Sequence, residues 1–302
     1  MANIKNKPLV SVIVVSYNAA DTVIETLNSV LNQTYDNIEL ILSDDCSKDN
    51  TVSLATEWFK VNKNAFNGGA QLLVAEKNCG VCANFNKAIR TSRGQWIKVI
   101  AADDILLSDC CKDFVEFTQI NPRAHFITSK MDIYDEHFLP QNLLLEGALP
   151  VEENIYKKNA NEQIQYASRM ILAAGPTIFY SRILYNEVGG YDEKYAFEDW
   201  PSIISALEHG YKVYFLNKST VGYRKQLSLS HTTGKLYNIK FKRKFRFFYK
   251  DKCWKYLSSR NKLAMSFQWY IEELLEFLHL NYDNKVGRFI NNQLTFIKSS
   301  FF

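Results

Sequence analysis

The sequence predicts an α/β fold, an open mixed sheet flanked by helices and followed by a helical appendage, and three observations carry that prediction. β-Branched apolar runs alternate with segments of helical spacing four times in the first hundred residues, and strands that alternate with helices in this way form largely parallel sheets. Three of these runs, at residues 9–16, 38–43 and 96–102, stop abruptly on polar or acidic steps, as strands do where their carboxyl ends open into a ligand crevice. Beyond residue 230 the alternation ceases, and basic and aromatic residues at helical spacing take over.

Each element follows from local chemistry. Residues 9–16 (LVSVIVVS) are nearly all apolar and β-branched, which predicts a central strand buried on both faces. Asp21, or Thr22 with Glu25, is positioned to cap a helix carrying Val23, Leu27, Val30 and Leu31. A second strand at 38–43 runs into Asp44, Asp45, Cys46, Ser47, Lys48, Asp49 and Asn50, a turn of side chains that bond their own backbone. A short strand at 71–75 and a helix at 81–90 precede Gly94 and the apolar run 96–102, which ends on Asp103 and Asp104. Adjacent carboxylates repel, so the pair reads either as a cation site or as a turn in which Asp104 caps a helix starting near residue 107. Further strands are expected at 126–134, 178–180, 212–217 and 220–224, with irregular chain at 139–159. Asp199 reads either as the cap of a helix at 201–209 or as a reactive acid beside Glu198.

Composition sets limits. With 302 residues, 47% hydrophobic and 14% aromatic, the chain can bury a large core and is not disordered. Neither G-x-G-x-x-G after the first strand nor G-x-x-x-x-G-K-[ST] occurs, so dinucleotide and P-loop chemistry lose their main support. Cys79 and Cys82 have C-x-x-C spacing without a second pair, and the adjacent Cys110 and Cys111 cannot easily face one metal, so the six cysteines read as reduced thiols. No secretory leader is legible and no apolar run approaches the ~20 residues of a membrane span. The expected location is cytoplasmic, either in solution or peripheral on the inner face of the cell membrane.

Seven stretches in order give the chain a resemblance: VSVIVVSYN at 10–18, LNQTY at 31–35, DDCSKDNT at 44–51, NCGV at 78–81 with Asn86, GQWI at 94–97, ADD at 102–104, and VGGYDE at 188–193 with FEDW at 197–200. Together they resemble the family 2 inverting glycosyltransferases of GT-A fold. The resemblance implies that Val15 and Tyr17 cradle a nucleotide base and that Asp45 bonds its uracil ring. Asp103 is expected toward the ribose or sugar, and Asp104 toward Mn2+ or Mg2+. Asn86 is expected on the donor side, and His231 is a candidate to complete the metal site or touch the diphosphate. Asp199 matches the general base, with Glu198 as its neighbour and reserve. The family shows D-x-D-D where this chain has Ala101, Ala102, Asp103 and Asp104, and many members carry an arginine where Phe85 stands, which leaves Lys87 or Arg90 for the diphosphate.

The implied organisation is a catalytic domain at 1–230, with a nucleotide-sugar half at 1–105 and an acceptor half at 106–230, and a helical region at 231–302. The implied function is metal-dependent, inverting transfer of a hexosyl or N-acetylhexosaminyl group from a nucleotide donor, UDP-sugar above others, to a lipid-linked glycan in polysaccharide biosynthesis of the O-antigen or capsule type. A catalytically inactive nucleotide-sugar-binding module is the alternative. One basic and aromatic helix at 240–260 suits an anionic membrane surface, or packs its rings inward and solvates its charges. No nucleic-acid motif accompanies the charge, so nucleic acid is not an expected partner. Further helices are expected at 263–280 and 286–297.

Overall fold

The computed structural model describes residues 7–225, 235–285, 287–289 and 293, and the chain divides into two compact units, Met1–Lys225 and Gln226–Phe302. In the first unit β1 (Val10–Ser16), α1 (Val23–Leu31), β2 (Ile38–Asp44), α2 (Thr51–Asn62), β3 (Ala70–Val74), α3 (Val81–Thr91) and β4 (Trp96–Ala101) follow the predicted alternation. They are succeeded by β5 (Ile105–Leu106), α4 (Cys110–Ile120), β6 (Phe126–Tyr134), β7 (Leu143–Ala148), α5 (Ala160–Ala167), β8 (Phe179–Ser181), α6 (Arg182–Val188), α7 (Asp199–Glu208) and β9 (Val213–Arg224).

These strands form one open mixed sheet in the order β3-β2-β1-β4-β8-β6-β9-β5, with β7 paired to β6. β3, β2, β1 and β4 are mutually parallel, whereas β8 runs antiparallel to both β4 and β6. β6 and β9 are parallel over their whole length, and β5 closes the far edge antiparallel to β9. β1 and β2 are buried at every position because helices cover both faces. The core runs from Val12, Val14, Leu40 and Leu42 through Ile100 to Phe114, Ile127 and Phe179.

Several expectations are corrected. Residues 212–217 and 220–224 are not two edge strands but one strand, β9, seated between β6 and β5. The stretch expected to be irregular contains β7, paired to β6 through register shifts. α1 begins after Thr22 without a side-chain cap, because the Thr22 hydroxyl donates to the Ala102 carbonyl instead. Asp104 caps nothing: α4 starts at Cys110 after Asp109.

In the second unit the expected single helix at 240–260 is broken. α8 (Ile239–Phe248) widens into a π-turn at Tyr249–Cys253 and then tightens into a 3-10 turn at Trp254–Tyr256, and Ser258 then caps α9 (Ser259–Phe277) by accepting from the Asn261 N–H. Its basic face is partly neutralised, since Arg246 pairs with Glu272 and Glu273, Lys242 with Glu272, and Arg243 with Glu273. Most of the helix expected at 286–297 lies outside the described residues.

Asn86, expected on the donor side, has four partners within the protein. Its Oδ1 accepts from the Tyr185 hydroxyl and the Tyr191 N–H, and its Nδ2 donates to the Tyr191 carbonyl and Glu193 Oε1. With every polar valence satisfied, this buried side chain ties α3 to the 185–193 segment. Asn86→Ala should therefore lower unfolding free energy by about 2–4 kcal/mol, as for a broken buried hydrogen-bond network. The denaturant midpoint reads that loss, while donor affinity should change far less than it would for a ligand contact.

Candidate active site

The first half of the site is built by strand register. Ser16 pairs with Asp44 and Val15 with Ala101, so the residues that follow β1, β2 and β4 emerge side by side at one sheet edge. Two bonds extend the ladder past the strand ends, from the Asp45 N–H to the Ser16 carbonyl and from the Ala102 N–H to the Val15 carbonyl, both at 2.9 Å. Val15 is buried in the floor, and Tyr17 stands 51% exposed at the rim. The adjoining turns interlock: Asn18, in the left-handed region, donates its N–H to Ser47 Oγ and accepts from the Lys48 N–H.

Asp45 is already engaged. Its oxygens accept from the N–H groups of Cys79 and Gly80, each at 2.8 Å, and from Cys79 Sγ. These bonds fix the turn that starts α3, so a base arriving here would share Asp45 with the protein's own backbone.

Asp103 and Asp104 occupy the loop between β4 and β5. Thr22 and Thr26 donate their hydroxyls to the carbonyls of Ala102 and Asp104, each at 2.7 Å, so α1 holds the loop from one side. Arg224, the last residue of β9, holds it from the other. Its N–H donates to Asp104 Oδ1 and its Nε to the Asp103 carbonyl, both at 2.9 Å, and its Nη2 pairs with Glu25 at 2.5 Å. Burial pushes the Asp104 carboxyl well above the usual carboxylate range, with the neighbouring Asp103 adding to it. Burial also raises Asp103, against the pull of Arg224.

The second acid centre is Glu198 and Asp199 at the start of α7. Glu198 holds the N-cap position without a side-chain cap bond, and Asp199 Oδ1 accepts from the first-turn N–H of Trp200 at 2.7 Å. Burial raises both carboxyls, and for Glu198 the charge on Asp199 is the next cause. The N–H groups of Trp200, Asp199 itself and Gly175 partly offset this for Asp199. Gly175 opens a 3-10 turn, Gly175–Thr177, packed so closely that a methyl group there would come within 2.6 Å of Glu198 Oε1.

A chain of contacts joins the two centres, from Lys98 of β4 to the Pro176 carbonyl and from Gly175 of the same turn to the Glu198 carboxyl. The Tyr223 phenol is pushed up first by burial and then by the charges of Asp104, Asp103 and Asp199. From the α3 side, Cys82 Sγ donates to the carbonyls of Tyr195 and Phe197, just ahead of Glu198. His231 lies outside the described residues. Arg224 was not anticipated from sequence, because an arginine ending a strand carries no signal for a carboxylate 120 residues earlier.

The donor set can be weighed against a divalent cation. Among the described residues no group of three or more His, Cys, Asp or Glu is arranged to hold a metal. Two adjacent, desolvated carboxylates nevertheless fit Mg2+ or Mn2+, which keep waters and substrate phosphate oxygens in their shells, and a cation would relieve the repulsion that burial magnifies.

An open mixed sheet whose parallel half ends in an acidic crevice, approached by a second acid pair, has the architecture of a GT-A-type nucleotide-sugar transferase. The family model described as Glycosyl transferase family 2 matches residues 11–189, and the chain belongs to that family. TuaG of Bacillus subtilis (strain 168), named as a teichuronic acid biosynthesis glycosyltransferase, is 26% identical over 220 residues, covering 72% of this chain and 79% of that one. The Escherichia coli protein WfaP, a UDP-Glc:alpha-D-GlcNAc-diphosphoundecaprenol beta-1,3-glucosyltransferase, is 30% identical over 142 residues, 46% of this chain and half of its own length. The crystal structure of S. aureus TarS 1-349 in complex with UDP-GlcNAc shares the fold, with a TM-score of 0.56, 19% identity and coverage of 97% of this chain and 71% of that one.

The raised carboxyls give a stability signature. Between the ordinary carboxylate range and the raised values, the folded state binds more protons than the unfolded one, so stability falls as pH rises through that window. Asp104→Asn removes one buried charge while its side-chain oxygen still accepts from Arg224. Thermal melts in chelator should show the variant about 1 kcal/mol more stable than wild type above neutrality, since functional charge is commonly held at the expense of stability. Mn2+ should raise the melting temperature of wild type and leave the variant unchanged.

Proposed function

We propose that this protein is a metal-dependent, inverting glycosyltransferase. In this reading it moves a hexosyl or N-acetylhexosaminyl group from a UDP-sugar to a hydroxyl of a lipid-linked glycan during cell-surface polysaccharide assembly. The observation that carries the reading is the arrangement of two acid pairs on one scaffold, Asp103 and Asp104 beyond the end of β4, and Glu198 and Asp199 against the Gly175–Thr177 turn that β4 holds through Lys98, which supports a shared site with an acid pair on each side. The names of the relatives supply the substrate class: WfaP pairs a UDP-sugar with a diphosphoundecaprenol-linked acceptor, and TuaG is named for teichuronic acid biosynthesis.

In this reading Val15 and Tyr17 receive the base, the exposed Tyr17 ring offering a stacking face, while Asp45 borders it. Asp103 and Asp104 would hold Mn2+ or Mg2+, which when bound stabilises the charge that develops on a leaving diphosphate. Asp199 accepts the proton of the acceptor hydroxyl as its oxygen bonds to the anomeric carbon; the bond from that carbon to the diphosphate oxygen breaks on the opposite face, and the centre inverts. Glu198, raised by burial and by Asp199, keeps its proton more readily, so the pair carries one negative charge and its two steps of titration belong to both.

The test is a thermal-shift screen of nucleotide sugars with and without Mn2+, followed by assays of release of the nucleoside diphosphate. Asp199→Asn should lower turnover ~10²- to 10⁴-fold, the range for loss of a general base, and leave donor affinity nearly unchanged. Because the base must be ionised and its carboxyl is raised, turnover should fall on acidification well above the ordinary carboxylate range. A donor that binds yet never loses its sugar to water or to any acceptor would favour a nucleotide-sugar-binding module instead.

Peripheral membrane attachment is part of this reading. No helix of the described residues is long and apolar enough to cross a membrane. Residues 226–302 nonetheless carry fourteen Lys and Arg against five Asp and Glu, leaving residues 1–225 net acidic. Since several α8 cations are paired to α9, the apolar contact falls to the α9 stripe of Leu263, Phe267, Tyr270 and Phe277, all exposed. An apolar stripe within a cationic unit suits an anionic interface. Full-length protein should pellet with vesicles containing phosphatidylglycerol and not with neutral ones, and Phe267→Asp should weaken pelleting severalfold. Equal behaviour with both vesicles would remove this attachment.

A further inference from the structure

Lys98 is fully buried in the middle of β4, between Val12 of β1 and Phe179 of β8. A lysine this deep ordinarily requires a carboxylate partner. Here the ammonium donates instead to three backbone carbonyls, those of Pro176, Val99 at 3.2 Å and Ile178 at 3.4 Å, and lies 5.8 Å from the centre of the Phe114 ring. Three donors meeting three acceptors satisfies the hydrogen-bonding capacity of a charged lysine and no other state of it. Desolvation lowers the Lys98 pKa, partly countered by the neighbouring Cys110, Cys111 and Asp104.

Two of the three carbonyls flank Thr177 in the turn Gly175–Thr177. Its other anchor is Thr177 itself, whose hydroxyl bonds Thr128 Oγ1 at 2.8 Å and the Ala174 carbonyl at 2.8 Å. The opposite side of the turn meets the acids: Gly175 lies against the Glu198 carboxyl and its N–H favours the ionised form of Asp199. Lys98 therefore connects the strand that delivers Asp103 and Asp104 to the turn that backs Glu198 and Asp199.

We propose that Lys98 is a positioning residue for the Glu198 and Asp199 pair, fixing the Gly175–Thr177 turn from beneath the sheet without touching substrate. This rests on the reading of Asp199 as the acceptor-side base, but the geometry it describes does not depend on turnover. Asp199 is raised by burial and held down by the N–H groups of Trp200, Asp199 and Gly175, it titrates together with Glu198, and Cys82 and Tyr223 are the other titratable groups that feel its charge; Lys98 reaches it only through the turn. Loosening the turn withdraws the Gly175 N–H and moves the Asp199 carboxyl further up.

The experiment is a carboxyl 13C NMR titration of the full chain labelled at Asp and Glu, with the Asp199 signal assigned by its loss in Asp199→Asn. Lys98→Met, close in volume and unable to donate, should raise the Asp199 midpoint by about one pH unit, a displacement well outside titration error. In donor-hydrolysis assays its turnover should fall about tenfold at unchanged donor KM. A lysine that merely filled space would lower the melting temperature and leave the midpoint where it was, which would overturn the proposal. If Lys98→Met does not fold, Lys98→Leu, equally unable to donate, is read in the same way: a raised midpoint supports the proposal and an unmoved one overturns it. A moved midpoint in a protein that transfers no sugar would leave the positioning role standing and remove the glycosyltransferase reading; an unmoved midpoint in an active enzyme would do the reverse.

Discussion

The burial of one carboxylate, Asp104, directly beside a second, the half-buried Asp103, is the constraint on which the first unit depends. Asp103 and Asp104 stand where β4 ends, and burial disfavours their charged forms. A loop under such repulsion holds its shape only if its backbone is restrained from several directions. The hydroxyls of Thr22, just before α1, and Thr26, within it, and two groups of Arg224, its N–H and its Nε, supply that restraint, while Arg224 Nη2 is tied in turn to Glu25. The arrangement resembles a spring held at both ends, and it explains why polar side chains are so numerous on a helix whose neighbours are otherwise apolar.

The same logic separates polar groups that face the crevice from those that build it. Asn86 and Asp45 sit in motifs that resemble donor-binding signatures, yet Asn86 has all its hydrogen bonds within the protein and Asp45 already accepts three. A polar residue within a motif can serve the motif by holding its neighbours in place. Gly80, with φ of +88°, and Asn18, with φ of +51°, are the backbone positions where this shaping is most demanding.

Much of the fold was legible because local pattern and tertiary role coincide in β1, β2 and β4, where apolar, largely β-branched runs form interior strands. The positions of Asp45, Asp103 and Asp104 at one sheet edge were legible for the same reason, since each follows closely on such a run. β7 escaped notice because its six residues are largely exposed and lack a buried face. The unity of β9 was hidden by Asn217, Lys218 and Ser219, whose polarity imitates a turn while β6 accommodates them through register shifts. Lys98 and Arg224 could not be seen at all: their partners are backbone carbonyls and acids that only the folded chain brings near. In the second unit the basic residues read as a solvated face, but Glu272 and Glu273, some 26 to 30 residues further on, neutralise three of them.

The placement of β9 has a consequence for how the molecule is made. Its residues pair along the full length of β6, whose chain lies almost ninety positions upstream, and its final residue completes the scaffold around the paired aspartates. Contacts so distant along the chain form late, and during translation, while domains emerge from the amino end, the parallel strands β1 to β4 are exposed long before the closing strand. A nascent polypeptide that stops short of residue 224 carries every acid of the crevice and lacks the latch that keeps two of them in register.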